Sequence, residues 1–377
     1  MYVGDSNHLP QPVGFRYKKA SESTWQEKYF GVIRTSDGSF SVDIDNLSPE
    51  TTYDFEAFIS VWNGTDYVEK KKSGQFTTKA AGGTATGWLE LPATTGSEDL
   101  VLTMYKTSGT NAANRNYTIN YSKERYAALW TAYTLTEEDV VTGESGSTNW
   151  TFNNSVFGGS YQVGVTQSGG SYPSNYQNAD LYSRGHQIPK ADRTSTSTAC
   201  TQTYYLSNQT PQIQDKFNAS IWGNLEKAGR GFVVTSAHSD NDSYNGSFTK
   251  TDELYVVTGP CYGKYGTTEE PDYLVAKSTS SISPQRVPIP KYYWKVFLKV
   301  RRNGDTITDA CAIGFWFVHR EYNKDGENVT YADFAVSVDQ IEAWTGFDLF
   351  TNLPGTQTSG IEKDAESNSN WGTFKLF

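Results

Sequence analysis

Apolar and polar positions alternate along Val13-Gly-Phe-Arg-Tyr-Lys18, Ser39-Phe-Ser-Val-Asp-Ile44 and the run from Tyr53 to Trp62, with turn residues between them. A period of two bounded by turns predicts half-buried β-strands. Residues 13–79 therefore read as all-β, with Gln75-Phe-Thr-Thr-Lys79 as a last strand and Lys70-Lys-Lys72 as a solvated strand edge. A Gly/Thr/Ala linker covers 81–87. Further strands are expected at Trp88–Ala93, Leu100–Tyr105, Asn116–Tyr121 and Leu129–Leu135. From Thr142 to Tyr182 the chain is rich in Gly, Ser, Asn and Tyr and reads as one long loop, a length usually tied to function. Phe217, Ile221, Trp222 and Leu225 recur at helical spacing and predict a helix over 217–229. Strands return at Gly231–Thr235, Leu254–Gly259, Trp294–Val300 and Ala312–Val318, a short helix at Val336–Thr345, and a loose polar tail from Thr356. Strands and helices in this order indicate an α+β fold with a central, mostly antiparallel sheet flanked by helices. The expected units are 1–80, a linker at 81–87, a main domain at 88–356 and a tail at 357–377.

Charge changes this picture only in part. A net charge of −10 argues against a protein that coats nucleic acid, because nonspecific affinity comes from Lys and Arg on phosphates. It leaves room for a hydrolase that needs positive charge only at its cleft. Cys200, Cys261 and Cys311 are too few and too scattered for a disulfide framework or a zinc site, and read as reduced core thiols. No window approaches the roughly 18 apolar residues of a membrane span, so no transmembrane segment is expected. The abundance of Thr, Ser, Asn, Tyr and Gly is typical of secreted β-rich proteins.

The candidate chemistry lies between Leu181 and Arg230. His186 stands between Arg184 and Arg193, followed by the amide of Asn218, the carboxylate of Glu226 and the cation Arg230. An imidazole near its ordinary pKa accepts a proton at neutral pH, an amide oxygen suits a hard cation, and arginines suit an anionic substrate. That inventory fits metal-assisted cleavage of a phosphodiester. His8, His238 and His319 have no such context.

Two resemblances extend the reading. Leu47-Ser-Pro-Glu-Thr-Thr-Tyr53 resembles the tyrosine-corner turn of fibronectin type III domains, and Phe15-Arg-Tyr17 resembles their third strand. Only about a dozen residues precede it, so the expectation is a sandwich truncated at its N-terminus, with its opening strands upstream. Residues 88–354 resemble the DNA/RNA nonspecific endonucleases of the ββα-metal (His-Me finger) superfamily, the endonuclease G-like group. Tyr182-Ser-Arg-Gly-His-Gln-Ile-Pro-Lys-Ala-Asp-Arg193 is similar to the family's Asp-Arg-Gly-His-x-x-Pro-x-x-Asp-Arg signature, and Ser207-Asn-Gln-Thr-Pro-Gln212 to its Asn-Met-x-Pro-Gln segment. Phe217-Asn218 through Glu226 is similar to its metal helix, with the Asn-to-Glu spacing of eight intact. Val256–Pro260, Val287–Lys291 and Val336–Glu342 follow in the family's order.

The resemblance implies His186 as general base on water, Asn218 as direct ligand of Mg2+ (or Mn2+), and Glu226 as acceptor for metal-bound waters. It puts Arg184 and Arg230 near the scissile phosphate and Asn208 in support of the site. On one continuous helix Asn218 and Glu226 lie roughly 12 Å apart along the axis, so Glu226 reaches the ion through water. Two departures stand out. Ser183 replaces the signature's leading Asp, and no Arg or Lys lies between Trp130 and Tyr182 to clamp the phosphate, leaving Lys190 as a substitute cation.

The expected activity is one-metal hydrolysis of DNA and RNA, with a bound Mg2+ bridging a nonbridging oxygen and the leaving 3′ oxygen. A homodimer, a cell-surface or extracellular partner for the N-terminal module, and an extracytoplasmic location complete the expectation. Two rival readings stay open on Ser183 and the missing arginine: a degenerate domain that binds nucleic acid or a surface partner without cutting, and a phosphodiesterase for small nucleotides.

Overall fold

The computed structural model describes residues 13–30, 44, 47, 48, 51–77, 87–107, 114–164, 172–235, 248–277, 283–356 and 360–377. His8, His238, most of the strand expected at Ser39–Ile44 and most of the 81–87 linker lie outside them. The chain divides into two units, Met1–Gly83 and Thr84–Phe377.

The first unit is a four-stranded antiparallel sheet of β1 (Val13–Lys19), β2 (Gln26–Phe30), β3 (Thr52–Trp62) and β4 (Tyr67–Thr77), in the order β2-β1-β3-β4. One face holds buried Val13, Tyr17 and Tyr53, while Phe58 on the other is buried beneath the Arg16 guanidinium, 5.3 Å away. The Tyr53 hydroxyl accepts from the Ser48 N–H at 2.8 Å, which ties the start of β3 back to the turn before it. The lysine run lies on β4, an edge strand, where Lys71 pairs with Glu56 at 2.7 Å. Charge along an open edge opposes pairing with another chain.

In chain order, the second unit comprises β5 (Leu100–Tyr105), β6 (Arg115–Ser122), β7 (Ala127–Leu135), α1 (Glu137–Val141), β8 (Tyr182–His186), α2 (Ser197–Thr203), β9 (Gln209–Ile213) and α3 (Gly223–Val233). Then follow β10 (Leu254–Cys261), β11 (Asp272–Val275), β12 (Arg286–Ile289), β13 (Tyr292–Asn303), β14 (Thr306–Val318), β15 (Ala335–Val336), α4 (Val338–Thr345), α5 (Gly360–Glu366) and α6 (Trp371–Leu376). Seven strands form one antiparallel sheet, ordered β15-β14-β13-β10-β7-β6-β5. Its central strands are buried on both faces, so alternate residues feed two separate cores. Leu254, Val256, Tyr293, Phe297, Ile313 and Phe315 pack under α3, whereas Tyr255, Val257, Trp294, Val296 and Ala312 pack with α4 and α5. The fold is thus a mixed one, a large antiparallel sheet with few helices.

Three expected elements differ. Trp88–Ala93 is not a strand: Leu89 enters the second core, while buried Glu90 pairs with Arg115 and accepts from Thr134 Oγ1. Gly231–Val233 ends α3 instead of opening a strand; Gly229 lets the helix approach the sheet, since a Cβ there would meet the Phe297 ring at 3.0 Å. The tail is ordered as α5 and α6, because Phe374 is wholly buried against Phe232, 5.3 Å between ring centroids, and Ala365 lies in the second core. Burying one Phe contributes about 1.5–3 kcal/mol, enough to hold a short segment whose polar composition suggests otherwise. The three cysteines are buried and free. No helix among the described residues is long and apolar enough to cross a membrane.

Candidate active site

The predicted site residues gather on a hairpin and the helical segment after it. β8 pairs antiparallel with β9, His186 opposite Gln209 and Ser183 opposite Gln212. Gly185 is required here, because a Cβ would meet the Gln212 side chain at 2.1 Å. After β9 the chain turns at Lys216 (φ 58°) into a wide helical segment, Gln214–Trp222, that runs on into α3. His319 fixes the turn: its Nε2 accepts from the Ile213 N–H at 2.8 Å while Nδ1 faces Pro290 O at 2.9 Å. Burial pushes that imidazole down to about 4, so it stays neutral. Phe217 anchors the segment from below, wholly buried and 5.4 Å from the Tyr293 ring.

Asn218 follows the anchor and stands half-exposed. Its Nδ2 donates to Ser183 Oγ at 2.9 Å and to Gln214 Oε1 at 3.3 Å. With Nδ2 engaged, Oδ1 is the amide atom turned to other use. The carbonyl of Asn218 accepts from the Gly223 N–H, a five-residue turn that widens the helix at this position. Such π-type turns are frequent at functional sites.

His186 ends β8 half-buried between aromatic walls. Its ring centroid lies 4.7 Å from Trp150 and 5.0 Å from Tyr204. Nε2 is buried without a hydrogen bond. Burial, then the nearby Lys190 charge, pushes the imidazole down to about 4, leaving a neutral ring at pH 7. Trp150 comes from the long loop expected over 142–182. Backbone bonds from Thr151 N to Tyr204 O (3.1 Å) and from Leu206 N to Thr151 O (2.8 Å) pin it there. Arg184 lies beneath Trp150, 5.9 Å from its ring, and is 2% exposed.

Asn208 acts on backbone. Its Oδ1 accepts from the Ile188 N–H (3.0 Å), and its Nδ2 donates to Ile188 O (2.9 Å) and Thr203 O (2.8 Å). It holds the strand exit two residues past His186 and, being wholly buried, faces no substrate.

Glu226 lies on α3 above the sheet, where Lys295, Asp192 and Arg230 all act on it. Burial raises its carboxyl to about 7. Arg230, expected near the scissile phosphate, is buried, and its Nη1 donates to Asp192 Oδ1 at 2.7 Å, while Asp192 Oδ2 accepts from the Tyr133 hydroxyl at 2.9 Å. Arg184, expected there too, is buried beside Trp150. Arg193 is internal too, donating to Asn116 O and Thr134 O.

The structure therefore brings two groups to β8: Asn218 through Ser183, and His186 with Arg184, Trp150 and Tyr204. A third lies on α3, where half-buried Glu226 feels the charges of Lys295, Asp192 and the buried Arg230. Trp150, Tyr204 and Lys295 were not singled out as site residues from the sequence. The one available signal was Trp150, which with Phe152, Val156 and Phe157 forms an apolar cluster inside a polar run.

Comparisons with known proteins identify the family of the second unit's sequence. The model of the family described as DNA/RNA non-specific endonuclease matches residues 96–356. A "Nuclease" of Nostoc sp. is 28% identical over 244 residues, 64% of this chain and 74% of the relative. The "Mitochondrial nuclease" of Saccharomyces cerevisiae is 25% identical over 48% of this chain and 50% of its own length. This chain thus spans about three quarters of one relative and half of the other. A solved structure of the EndoG/EndoGI complex is 19% identical, covers 65% of this chain and 86% of that one, and has a TM-score of 0.44.

Proposed function

The chain belongs to the DNA/RNA non-specific endonuclease family and is a nuclease; from that premise we propose that it hydrolyses both DNA and RNA, with Asn218 as the ligand of a divalent ion and His186 as general base. The observation that carries this reading is the fixed amide of Asn218. Because Nδ2 is held by Ser183 and Gln214, the oxygen is the atom left to meet a hard cation. Mg2+ suits a single protein amide because it retains most of its waters, and Mn2+ is the alternative. When bound, such an ion supplies positive charge to the phosphate and the leaving oxygen.

The residues of the chain do the rest. His186, neutral at pH 7, takes a proton from the attacking water. Trp150 and Tyr204 hold its ring in place. Lys190, close enough to act on that imidazole, supplies cationic charge toward the substrate where the chain lacks an upstream arginine. Arg184 adds positive potential from beneath Trp150 without touching the phosphate. Glu226 accepts from water around the ion, and a nearby cation draws its carboxyl back toward the ionised form. Asn208 and the Arg230–Asp192 pair are positioning elements. Recognition through phosphates carries little sequence information, which fits a non-specific enzyme.

For the first unit, the Tyr53–Ser48 bond and the adjacency of β1, β3 and β4 support a fibronectin III-like reading, in which they stand for strands C, F and G. A module of that kind would present the enzyme to an extracellular or cell-surface partner in an extracytoplasmic setting.

The test is incubation with supercoiled plasmid and with RNA, in Mg2+, Mn2+ or EDTA, beside His186→Ala and Asn218→Ala. Metal-dependent cleavage of both substrates that falls by about 10³-fold or more in each variant is expected. Folded protein that binds but cuts neither substrate under any metal would sink the proposal.

A further inference from the structure

A second cluster of acids lies away from β8, between α4 and α5. Asp339 and Glu342 on α4 and Glu366 at the end of α5 bring carboxylate oxygens within 4.8 Å of one another. Asp339 is exposed, Glu342 half-buried and Glu366 wholly buried. Neither Glu366 Oε1 nor Oε2 makes a hydrogen bond. Glu342 Oε1 accepts from the Leu349 N–H at 2.6 Å, which holds that carboxylate in place. On α5, Ala365 and Ile361 pack with Leu349, Phe350 and Leu353 in the second core, and Glu362, one turn before Glu366, is buried as well.

We propose that Asp339, Glu342 and Glu366 form a binding site for a hard divalent cation, with Ca2+ the best fit, separate from Asn218. Like charges converging on a buried, unpartnered carboxyl are costly unless a counter-charge joins them. Burial, with Glu342, Glu362, Asp339 and Asp348 all acting in the same direction, pushes the Glu366 carboxyl up to about 10. Glu342 is likewise raised to about 8, burial again the largest cause. The donor set is oxygen only, which excludes a preference for soft or imidazole-loving metals. Several carboxylates on two short helices suit the larger, more flexible shell of Ca2+; Mg2+ keeps its waters and takes one or two carboxylates.

The position gives the site a purpose. Glu366 lies past residue 356, outside the stretch that matches the family. A cation here ties α5 to α4, and the chain after α5 carries Phe374 onto Phe232 of α3, the helix of Glu226. The site is thus a clamp on the C-terminal segment.

Thermal unfolding of the whole chain, stripped with EDTA and then given millimolar Ca2+ or Mg2+, tests this without an activity readout. Ca2+ is expected to raise Tm by about 3 °C or more, both in the wild type and in Asn218→Ala. Glu366→Gln should abolish the rise, while unfolding in EDTA no earlier than wild type because it replaces a buried carboxyl held in its neutral form by an amide of the same shape. If Glu366→Gln fails to fold, Asp339→Asn at the exposed position should raise the Ca2+ needed for half the effect by about 10-fold. No Ca2+ response in Asn218→Ala, a response unchanged by either acid substitution, or a larger response to Mg2+ than to Ca2+ would overturn the proposal.

Discussion

The side chains of Ser183 and Asn218 are joined directly: the amide Nδ2 of Asn218 donates to Ser183 Oγ at 2.9 Å, and Ser183 Oγ donates onward to Gln212 O at 3.2 Å. From the signature alone, Ser183 counts as the loss of a carboxylate. In the fold it keeps the function of an acceptor for the Asn218 amide, anchored to the neighbouring strand.

Ser183→Ala should therefore weaken metal use before it weakens chemistry. Supports of this kind typically contribute 10–100-fold to metal affinity. Titrating Mg2+ against plasmid cleavage should show a half-saturating concentration higher by about 10-fold, with the rate at saturation nearly kept. Ser183→Asp, which retains an acceptor, should stay close to wild type. A Ser183→Ala enzyme with unchanged Mg2+ dependence would show that the bond does not orient the ligand.

Lys190 gives a second, pH-resolved prediction. Burial is the main reason the His186 imidazole is held near 4, and the Lys190 charge pushes the same way. Removing a positive charge favours the protonated ring, so Lys190→Gln should move the acid limb of kcat/KM to higher pH, by about half a unit, which corresponds to about 0.7 kcal/mol. The wild-type limb should lie below pH 6. A limb that stays fixed in Lys190→Gln would detach the two residues.

How much of this was legible beforehand depended on where each residue's partner lies. Periodicity predicted neither β8 nor β9; the ββα order came with the family resemblance, and His186 and Asn218 were readable as candidates from that compact motif and the Asn-to-Glu spacing. The fate of Arg230 was not, because Asp192 and Tyr133 are 38 and 97 positions away in sequence and meet it only through the sheet. The tail misled for a similar reason: its run up to Asn370 is polar, and the partners that order α6 are distant, with Trp371 and Phe374 packing on Phe232 and Trp371 also on Phe315. Gly231–Val233 looked like a strand because a buried helix end and a buried strand present the same short apolar run.

Arg230 itself separates an interior ion pair from a phosphate clamp. Breaking a buried pair by removing one partner leaves an uncompensated charge and costs about 3–5 kcal/mol. Arg230→Ala should lower the denaturant midpoint accordingly, and Arg230→Ala with Asp192→Asn should recover part of the loss. The salt dependence of DNA binding, measured on folded protein, should keep its slope. A slope shallower by about one, with stability intact, would return Arg230 to the substrate.

His319 supplies the last test, on stability and not on catalysis. Its ring is held near 4, chiefly by burial, against an ordinary 6.5. The unfolded chain then takes up a proton on this side chain at a higher pH than the folded one. The contribution is fully present above about pH 6.5 and is lost progressively as pH falls toward 4, to a total of about 3 kcal/mol. Other groups also titrate in this window, and the carboxyls raised around Glu366 act with the opposite sign, so a single pH curve would mix them. His319→Gln isolates the effect, because a glutamine can accept from Ile213 N–H and donate to Pro290 O without titrating. Urea unfolding of both proteins at pH 7 and at pH 4.5 should show a difference between them that narrows or reverses at the lower pH. A difference that stays constant would mean that this imidazole titrates alike in the folded and unfolded chains.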